Sequence, residues 1–547
     1  MTKSLFTLCL ALMMPLAVFS ADRFGADRAR WAKIAQETTP QLHERTVLPK
    51  QIVKAVKDKE AFQGWRFEQD AMTLEQLQNK NFKEVNSVTL DFGEHITGYC
   101  TLKLKTINNP CDAPVRLRMT FAEMPAELNT PFDPWQGSLS RGWMQDMTVE
   151  LQEYEVDTYV TLPRRLSMRY LKIELLGASA SYNFTVDNIS FKAVTSAGEV
   201  QTKLEGDYPD IIRQIDRVGA NTLKECMQTV YEDGPKRDHR LWIGDMYLES
   251  LANRYSFRNF QMTKHCLYLF ASLANENGTL MSNLFERPVP HGQKGNDLLP
   301  YSLLYIATLL EYYQDTRDAE TANDLWEVCQ VQLEEALSYV TPDGIFNPDH
   351  KPTWIFFDWR EGLDINACMQ ACTIDALQNM MELGRLLGRE KELKEYPALV
   401  KKMKAAARRE MLDKKTGTIL SGKGKQLSVL SQAWMIRAGV LNAKEGAKAI
   451  KTALSTEGVV MPGTPYGTHY LIEAMMLSGM EQEAADYLID YWGGMVKKGA
   501  DCFFEAYDPK DDMLSPYNFA PLNSYCHAWS CTPIYFIHRY PEAFRTK

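Results

Sequence analysis

The spacing of apolar side chains changes once along this 547-residue chain, and the change constrains the fold more than any other feature. Between residues 85 and 195, apolar positions tend to alternate with polar ones, as in the run from Val115 to Phe121. A period of two with frequent turn residues is typical of short strands that bury one face. We therefore predict a β-sandwich over residues 86–200, preceded by a lead-in at 21–85 that has no clear period.

From about residue 208 the apolar period becomes 3.6, which is typical of amphipathic helices. About a dozen such segments follow, separated by short or aromatic-rich loops. A helical solenoid would show a repeat of roughly 34–47 residues, and no such repeat is present. We therefore predict an (α/α)6 toroid with one cleft for residues 201–547. The predicted helical segments are 208–218, 246–255, 263–273, 298–313, 319–337, 367–387, 393–411, 428–438, 443–454, 468–477, 481–495 and 528–536.

The first twenty residues have the pattern of a secretory signal peptide. Lys3 is followed by an apolar run from Leu5 to Phe19 and then by small residues. We expect cleavage after Ser20, with cleavage after Ala21 as the weaker option. The run falls short of the roughly 18 residues that a spanning helix needs, which favours export over a membrane anchor. The sequence therefore predicts a periplasmic or secreted protein without a membrane partner.

Charge and side-chain spacing exclude other classes of protein. The 61 Lys and Arg residues are outnumbered by 70 Asp and Glu residues, which disfavours a nucleic-acid partner. Ten cysteines outside the signal segment are too sparse for a disulfide scaffold, although one or two disulfides are compatible with an oxidising compartment. The nine histidines are scattered, without HxH or HxxxH spacing. We therefore expect neither a metal site nor a cofactor.

Acidic, basic and aromatic side chains are concentrated in one loop between predicted helices, residues 232–245. It holds four carboxylates, and Gly234-Pro235 breaks any helix there. A solvated ion-pair loop would have this composition. A sugar site would have it too, with carboxylates accepting from hydroxyl groups and Trp242 stacking on a ring. Composition alone leaves both interpretations open.

Three further clusters combine polar and aromatic side chains. Asp358 lies between two tryptophans, an arrangement that suits a pyranose ring or an amphipathic edge of the core. Glu505 lies between Phe504 and Tyr507, and an apolar frame raises a carboxyl pKa, which suits acid or base catalysis. A surface glutamate is the alternative there. His527 precedes the last helix and suits either a sugar hydroxyl or a core position.

Hydrolysis of a glycoside requires two carboxyl groups on either side of the scissile bond. Inverting enzymes hold them roughly 6.5–9.5 Å apart to admit water, and retaining enzymes about 5–5.5 Å apart. Asp238 and Glu505 belong to distant loops, which a toroid brings to a single opening.

These motifs resemble, in the same order, those of the bacterial α-L-rhamnosidases of glycoside hydrolase family 78, in the six-hairpin glycosidase superfamily. The loop 233–245 resembles the motif Asp-Cys-Pro-x-Arg-Asp-Glu-Arg-x-Gly-Trp-x-Gly-Asp. The segment 491–505 is similar to the stretch that carries the general base, and 527–529 to a last-helix motif whose His binds sugar. Residues 90–93 resemble the start of the accessory β-sandwich. The likeness covers roughly 86–545 and implies an (α/α)6 catalytic domain that hydrolyses terminal α-L-rhamnose with inversion.

The chain departs from the family motif at the general acid. The family has Glu in Arg-Asp-Glu-Arg, whereas this loop reads Asp238-His239 there and is one residue shorter. Alignment forward from Asp233 puts His239 at the acid position, and alignment backward from Asp245 puts Asp238 there. We favour Asp238, because protonating an acetal oxygen calls for a carboxylic acid.

The sequence thus predicts an exported glycoside hydrolase that releases terminal α-L-rhamnose, or a related sugar, from a plant-type glycan. Asp238 would be the general acid and Glu505 the general base. Two alternatives are a sugar-binding protein with an altered site and a polysaccharide lyase on the same toroid. The oligomeric state is left open. The predicted substrate-binding residues are Asp233, Arg237, His239, Trp242, Asp245, Asp358, Trp359 and His527.

Overall fold

A computed structural model of the chain describes residues 22–351 and 353–546. The predicted signal peptide, residues 1–20, lies outside them. A strand-rich N-terminal region is followed by a helical region, as the change of period predicts. Within the described ranges, none of the helices combines the length and the hydropathy that a membrane crossing requires.

The N-terminal region is a β-sandwich organised by one long strand. Its elements are α1 (Arg28–Glu37), β1 (His43–Val47), β2 (Gln51–Lys57), β3 (Trp65–Gln69), α2 (Leu74–Asn79), α3 (Phe82–Val85), β4 (Ser87–Asn108), β5 (Val115–Ala122), β6 (Asp146–Leu151), β7 (Val160–Thr161), β8 (Leu166–Gly177) and β9 (Asn183–Thr195). The first half of β4 pairs with β2 and β8, and its second half pairs with β9 and β7. The pairing with β8 has a register shift between Asp91 and Ile96, and the pairing with β9 begins at Gly98. Strand β4 thus passes from one layer to the other, and the apolar core lies between them.

The predicted lead-in is part of this sheet. Strand β1 pairs antiparallel with β9, from His43 opposite Thr195 to Val47 opposite Phe191, and β2 pairs with β4. Four of the five β1 residues are exposed, as on an edge strand with little buried surface. Because such a strand buries only one side chain, it carries no alternation that the sequence could reveal.

The helical region closes into a double ring. Its helices are α4 (Asp210–Cys226), α5 (Ile243–Arg254), α6 (Phe260–Ser272), α7 (Leu299–Thr316), α8 (Ala319–Asp324), α9 (Trp326–Leu337), α10 (Asn366–Leu387), α11 (Tyr396–Met411), α12 (Val429–Arg437), α13 (Ala443–Ser455), α14 (Pro465–Leu477), α15 (Glu481–Lys497), α16 (Pro533–Arg539) and α17 (Pro541–Phe544). Short strands pair between them: β10 (Leu241–Trp242), β11 (Asn283–Phe285), β12 (His291–Gly292), β13 (Leu420–Ser421) and β14 (Gln426–Leu427). All twelve predicted segments correspond to helices, with 319–337 divided into α8 and α9.

The inner ring is formed by α5, α7, α10, α12 and α14, and the 3-10 turn Ala528–Ser530 before α16 closes it back onto α5. These helices are buried on nearly every face. In α14, for example, only Glu473 and Leu477 are not buried. The outer helices α11, α13 and α15 bury one stripe only. This alternation confirms the (α/α)6 toroid, in which an inner helix needs apolar residues all round.

Candidate active site

A cavity of about 270 Å³ opens at one end of the helical ring. Most of its lining comes from loops that precede the inner helices, or from the first turns of those helices, so these residues meet at the same end. The structure brings eight of the predicted site residues to this cavity. They are Asp233, Arg237, Asp238, Trp242, Asp245, Trp359, Glu505 and His527.

The loop before α5 reaches the cavity in an unusual backbone conformation. Asp238 and His239 are consecutive residues with positive φ, 67° and 52°. Asp and His adopt this left-handed region more readily than most non-glycine residues, but it is still costly, and such strain concentrates at functional sites. The buried Lys236 holds the loop in place through Glu127 of the sandwich at 2.6 Å and the carbonyl oxygen of Asn523 at 2.5 Å.

Glu505 is buried and fully hydrogen-bonded. Its Oε2 accepts from Arg237 Nη2 at 2.5 Å and from the backbone N–H of Ser524 at 3.0 Å, and its Oε1 accepts from the Tyr517 hydroxyl. Burial alone would raise the pKa of Glu505, but the Arg237 charge, aided by His527, lowers it to about 2. The prediction that an apolar frame raises this pKa is therefore wrong, because the charged neighbours outweigh burial.

Arg237 joins the two predicted catalytic carboxylates. Its Nη2 contacts Glu505 and its Nη1 lies 3.3 Å from Asp238 Oδ1. The guanidinium also lies over the Tyr517 ring, 4.3 Å from the centroid, and donates through Nε to the carbonyl of Leu522. Because one planar guanidinium touches both acids, the facing oxygens of Asp238 and Glu505 are no more than about 8 Å apart.

Two more buried carboxyl groups line the cavity, and their pKa values are shifted in the opposite direction to that of Glu505. Burial, together with the nearby Asp238, raises the pKa of Asp233 and of Asp245 well above the ordinary value. Asp233 accepts from the backbone N–H of Arg240 at 3.1 Å. Asp245 Oδ1 lies 3.7 Å from His527 Nδ1, and neither atom has a hydrogen-bond partner among the described residues. Burial lowers the pKa of His527 to about 4, so it is neutral near pH 7.

Unpaired, buried polar atoms at a cavity wall are costly until a ligand supplies partners. Asp245 and His527 therefore offer a donor and an acceptor to a hydroxyl-bearing ligand.

Two of the predicted substrate-binding residues do not line the cavity. The ring of His239 packs edge-on against Trp143, and burial lowers its pKa. Asp358 accepts from the backbone N–H of Gly463 and from the hydroxyl of Thr464, both at 2.5 Å, and burial raises its pKa to about 6. Its carboxylate thus connects the loop before α10 to the start of α14.

Several cavity residues have no signal in the sequence. Tyr517 contacts Glu505 from a loop without a recognisable motif. Leu139 and Trp143 belong to the sandwich, outside the predicted catalytic region. Tertiary packing alone brings these side chains to the cavity, because no local pattern links them to it.

Comparisons with known proteins agree with this arrangement. Residues 49–193 match the glycosyl hydrolase family 78 alpha-rhamnosidase N-terminal domain, and residues 201–540 match the bacterial alpha-L-rhamnosidase 6 hairpin glycosidase domain. A solved rhamnosidase from Klebsiella oxytoca with rhamnose bound is 34% identical, with 94% of this chain and 99% of that chain covered and a TM-score of 0.89. A search of curated proteins found no match.

Two larger solved proteins share the fold. The family 78 rhamnosidase of Bacillus sp. GL1 is 19% identical, with 83% of this chain and 46% of that chain covered and a TM-score of 0.68. The α-L-rhamnosidase from Dictyoglumus thermophilum is 17% identical, with 91% and 52% covered and a TM-score of 0.66. This chain thus spans about half the length of each.

Proposed function

The chain belongs to the α-L-rhamnosidases of glycoside hydrolase family 78, and on that premise we propose that it releases terminal α-L-rhamnose by inversion. Asp238 acts as the general acid and Glu505 as the general base. The observation that carries the proposal is the contact of one guanidinium, that of Arg237, with both carboxylates at a cavity wall. The resulting limit of about 8 Å between the facing oxygens is compatible with the spacing that admits a water molecule.

The ionised state of Glu505 supports its role as the base. Its pKa of about 2 keeps it a carboxylate at neutral pH, able to accept a proton from the attacking water. Tyr517 and Arg237 fix the direction of its oxygens. As the water loses its proton to Glu505, its oxygen attacks the anomeric carbon from the face opposite the leaving group.

The orientation of the acid loop supports Asp238 over His239 as the acid. The side chain of Asp238 lines the cavity and is 17% exposed, whereas His239 packs against Trp143 outside it. Asp238 is thus placed to give its proton to the oxygen of the departing group.

The size and lining of the cavity support a single terminal sugar as the bound group. About 270 Å³ is at the small end of ligand sites, which usually measure roughly 300–1,000 Å³. Polar partners come from Asp233, Asp245 and His527, and aromatic surface comes from Trp242 and Phe356. A deoxyhexose presents hydroxyl groups on its ring and one apolar methyl group, which suits this mixed lining.

We extend the proposal to the setting of the enzyme. The signal-peptide pattern of residues 1–20 supports export. A terminal rhamnose on a plant-type glycan is the substrate class that an exported enzyme of this family would meet. Both the export and the substrate class are tested by measuring hydrolysis of such glycans by the culture supernatant or the periplasmic fraction.

The activity is tested with p-nitrophenyl α-L-rhamnoside and the variants Glu505→Ala and Asp238→Asn. Each is expected to lose at least about a hundredfold in kcat/KM, since each removes one proton-transfer group. Glu361→Gln, which alters an exposed glutamate, serves as the matched control. Proton NMR of the first-formed sugar should show the β anomer. Both variants retaining activity within a few-fold of wild type would contradict the assignment.

Two further measurements address the other two hypotheses. A sugar-binding protein would show calorimetric binding of rhamnose without turnover. A lyase would form an unsaturated product that absorbs in the ultraviolet, with no free rhamnose.

A further inference from the structure

A compact cluster of thiols and an imidazole lies behind the active-site wall. The ligand atoms of His95, Cys502 and Cys526 are all within 4.8 Å of one another. Cys226 lies beside this group, with its Sγ 4.0 Å from that of Cys526 but more than 4.8 Å from at least one of the other two ligand atoms. All four side chains are buried, and none lines the active-site cavity.

The cluster joins parts of the molecule that are distant in sequence. His95 belongs to β4 of the sandwich, and Cys226 ends α4 of the toroid. Cys502 and Cys526 lie in the loops that carry Glu505 and His527, three residues and one residue away. A bond among these four side chains would therefore fix the two domains and both active-site loops together.

The imidazole is held as metal-binding histidines usually are. His95 Nε2 lies 3.0 Å from Glu123 Oε1 and 3.0 Å from Ser167 Oγ. The second nitrogen, Nδ1, is buried and has no hydrogen-bond partner in the described part of the chain. A carboxylate on one ring nitrogen orients the ring and leaves the other nitrogen free to bind a metal.

Thiol and imidazole ligands favour a zinc ion. Structural Zn²⁺ sites are tetrahedral, with three cysteines and one histidine as a common set. With Zn–S bonds of about 2.3 Å, two thiolates of a tetrahedral site lie about 3.8 Å apart. The 4.0 Å between Cys226 and Cys526 is close to that spacing.

We propose that His95, Cys226, Cys502 and Cys526 bind a structural Zn²⁺ that fastens the sandwich to the toroid behind the active site. Each cysteine that binds loses its proton, and the proton leaves to solvent as the metal enters. The ion touches neither substrate nor water in the cavity, so it holds the loops of Glu505 and His527 in position. The spacing of ligands in sequence gave no sign of this site, since they are spread over positions 95 to 526.

The first test is the metal content of the full-length secreted protein. After dialysis against metal-free buffer, mass spectrometry of the elements should find about one zinc per chain. Cys526→Ser and His95→Gln should each lose most of it. Cys368→Ser, which alters a buried thiol outside the cluster, is the matched control and should keep it. Folded wild-type protein without zinc, or undiminished zinc in Cys526→Ser, would overturn the proposal.

A second test needs no variant, so it is unaffected if a substitution prevents folding. Cobalt(II) exchanged into the wild-type protein should give the visible absorption of a tetrahedral thiolate site. A disulfide is the remaining explanation for the close thiols. Counting free thiols in denaturant with a chelator distinguishes it from a metal site. The ten cysteines of the described chain should all react, whereas a Cys226–Cys526 disulfide would leave eight and refute the metal site.

Discussion

At the scale of single residues, burial and charge act in opposite directions on the carboxyl groups of the cavity. Glu505 contacts Arg237, and this charge keeps the carboxylate ionised although the side chain is buried. Asp233 and Asp245 are equally buried but have no ion pair with a cation among the described residues, so their pKa values rise instead. The same cavity thus lowers the pKa of one buried carboxyl group and raises the pKa of two others.

The balance at Glu505 predicts a change in the pH profile. Arg237→Gln removes the charge that lowers the pKa of Glu505, so burial would raise this pKa. Because only the ionised carboxylate acts as a base, the acid limb of kcat/KM should move to higher pH, and kcat/KM near pH 7 should fall. In the wild type the limb set by Glu505 lies near pH 2, so a profile measured from pH 3 to pH 8 with the aryl rhamnoside should show an acid limb only in Arg237→Gln. Arg240 lies 3.8 Å from Asp238, and Arg240→Gln should match the wild type over this range. A profile of Arg237→Gln without an acid limb above pH 3 would refute this account.

At the scale of elements, the connection between β5 and β6 matters most for the cavity. Residues 123–145 carry Trp135, Leu139 and Trp143, and they pack on the toroid around Phe519. The guanidinium of Arg141 lies over Trp135 and pairs with Asp146 at 2.6 Å. This segment is therefore held firmly, and it places Leu139 and Trp143 against the cavity.

The position of Trp143 predicts a role in binding the departing group. An aromatic leaving group would stack on this side chain, and Trp143→Ala should raise KM for an extended aryl rhamnoside roughly threefold to tenfold. The kcat should change little, since no proton-transfer group is altered. Trp135→Phe changes an aromatic residue of the same segment that does not line the cavity, and its KM should match wild type. Equal KM values for Trp143→Ala and wild type would disprove the role.

At the scale of the whole molecule, buried charges link the sandwich to the toroid. Lys236, from the loop before α5, is 3% exposed and lies 3.0 Å from Glu123 and 2.6 Å from Glu127 of the sandwich. Glu123 also contacts His95 and accepts from the backbone N–H of Tyr525 at 2.6 Å. The acid loop, the last-helix loop and the sandwich therefore share one buried network.

This network predicts a loss of stability when its cation is removed. Lys236→Met removes the cation that the buried Glu123 and Glu127 share, which should cost about 3–5 kcal/mol and lower the midpoint of thermal unfolding. Adding Glu127→Gln should recover part of the loss, because one uncompensated charge is removed. Lys192→Met breaks an exposed pair with Glu44 and should change the midpoint little. Scanning calorimetry compares the four proteins, and an unchanged midpoint in Lys236→Met would count against the network.

Much of the fold and part of the site could be predicted from sequence because they depend on local pattern. The 3.6 period located all twelve predicted helical segments, since the buried face of a helix is formed by residues three or four positions apart in the sequence. The loop 232–245 and Glu505 were found because charge and aromatic residues are dense there. The strand β1 was missed, since a mostly exposed edge strand does not alternate apolar and polar residues.

By itself the sequence determined the two architectures, their order and the stretches that carry the cavity residues. Only the tertiary structure decided which of these side chains meet. The side chains of His239 and Asp358 lie outside the cavity. Arg237 contacts Glu505, 268 positions away in sequence, and this contact lowers the pKa of Glu505 where the sequence predicted that it would be raised. The physical reason is that periodicity reports on neighbours within a few residues, whereas ionisation and ligand geometry depend on groups within a few ångströms.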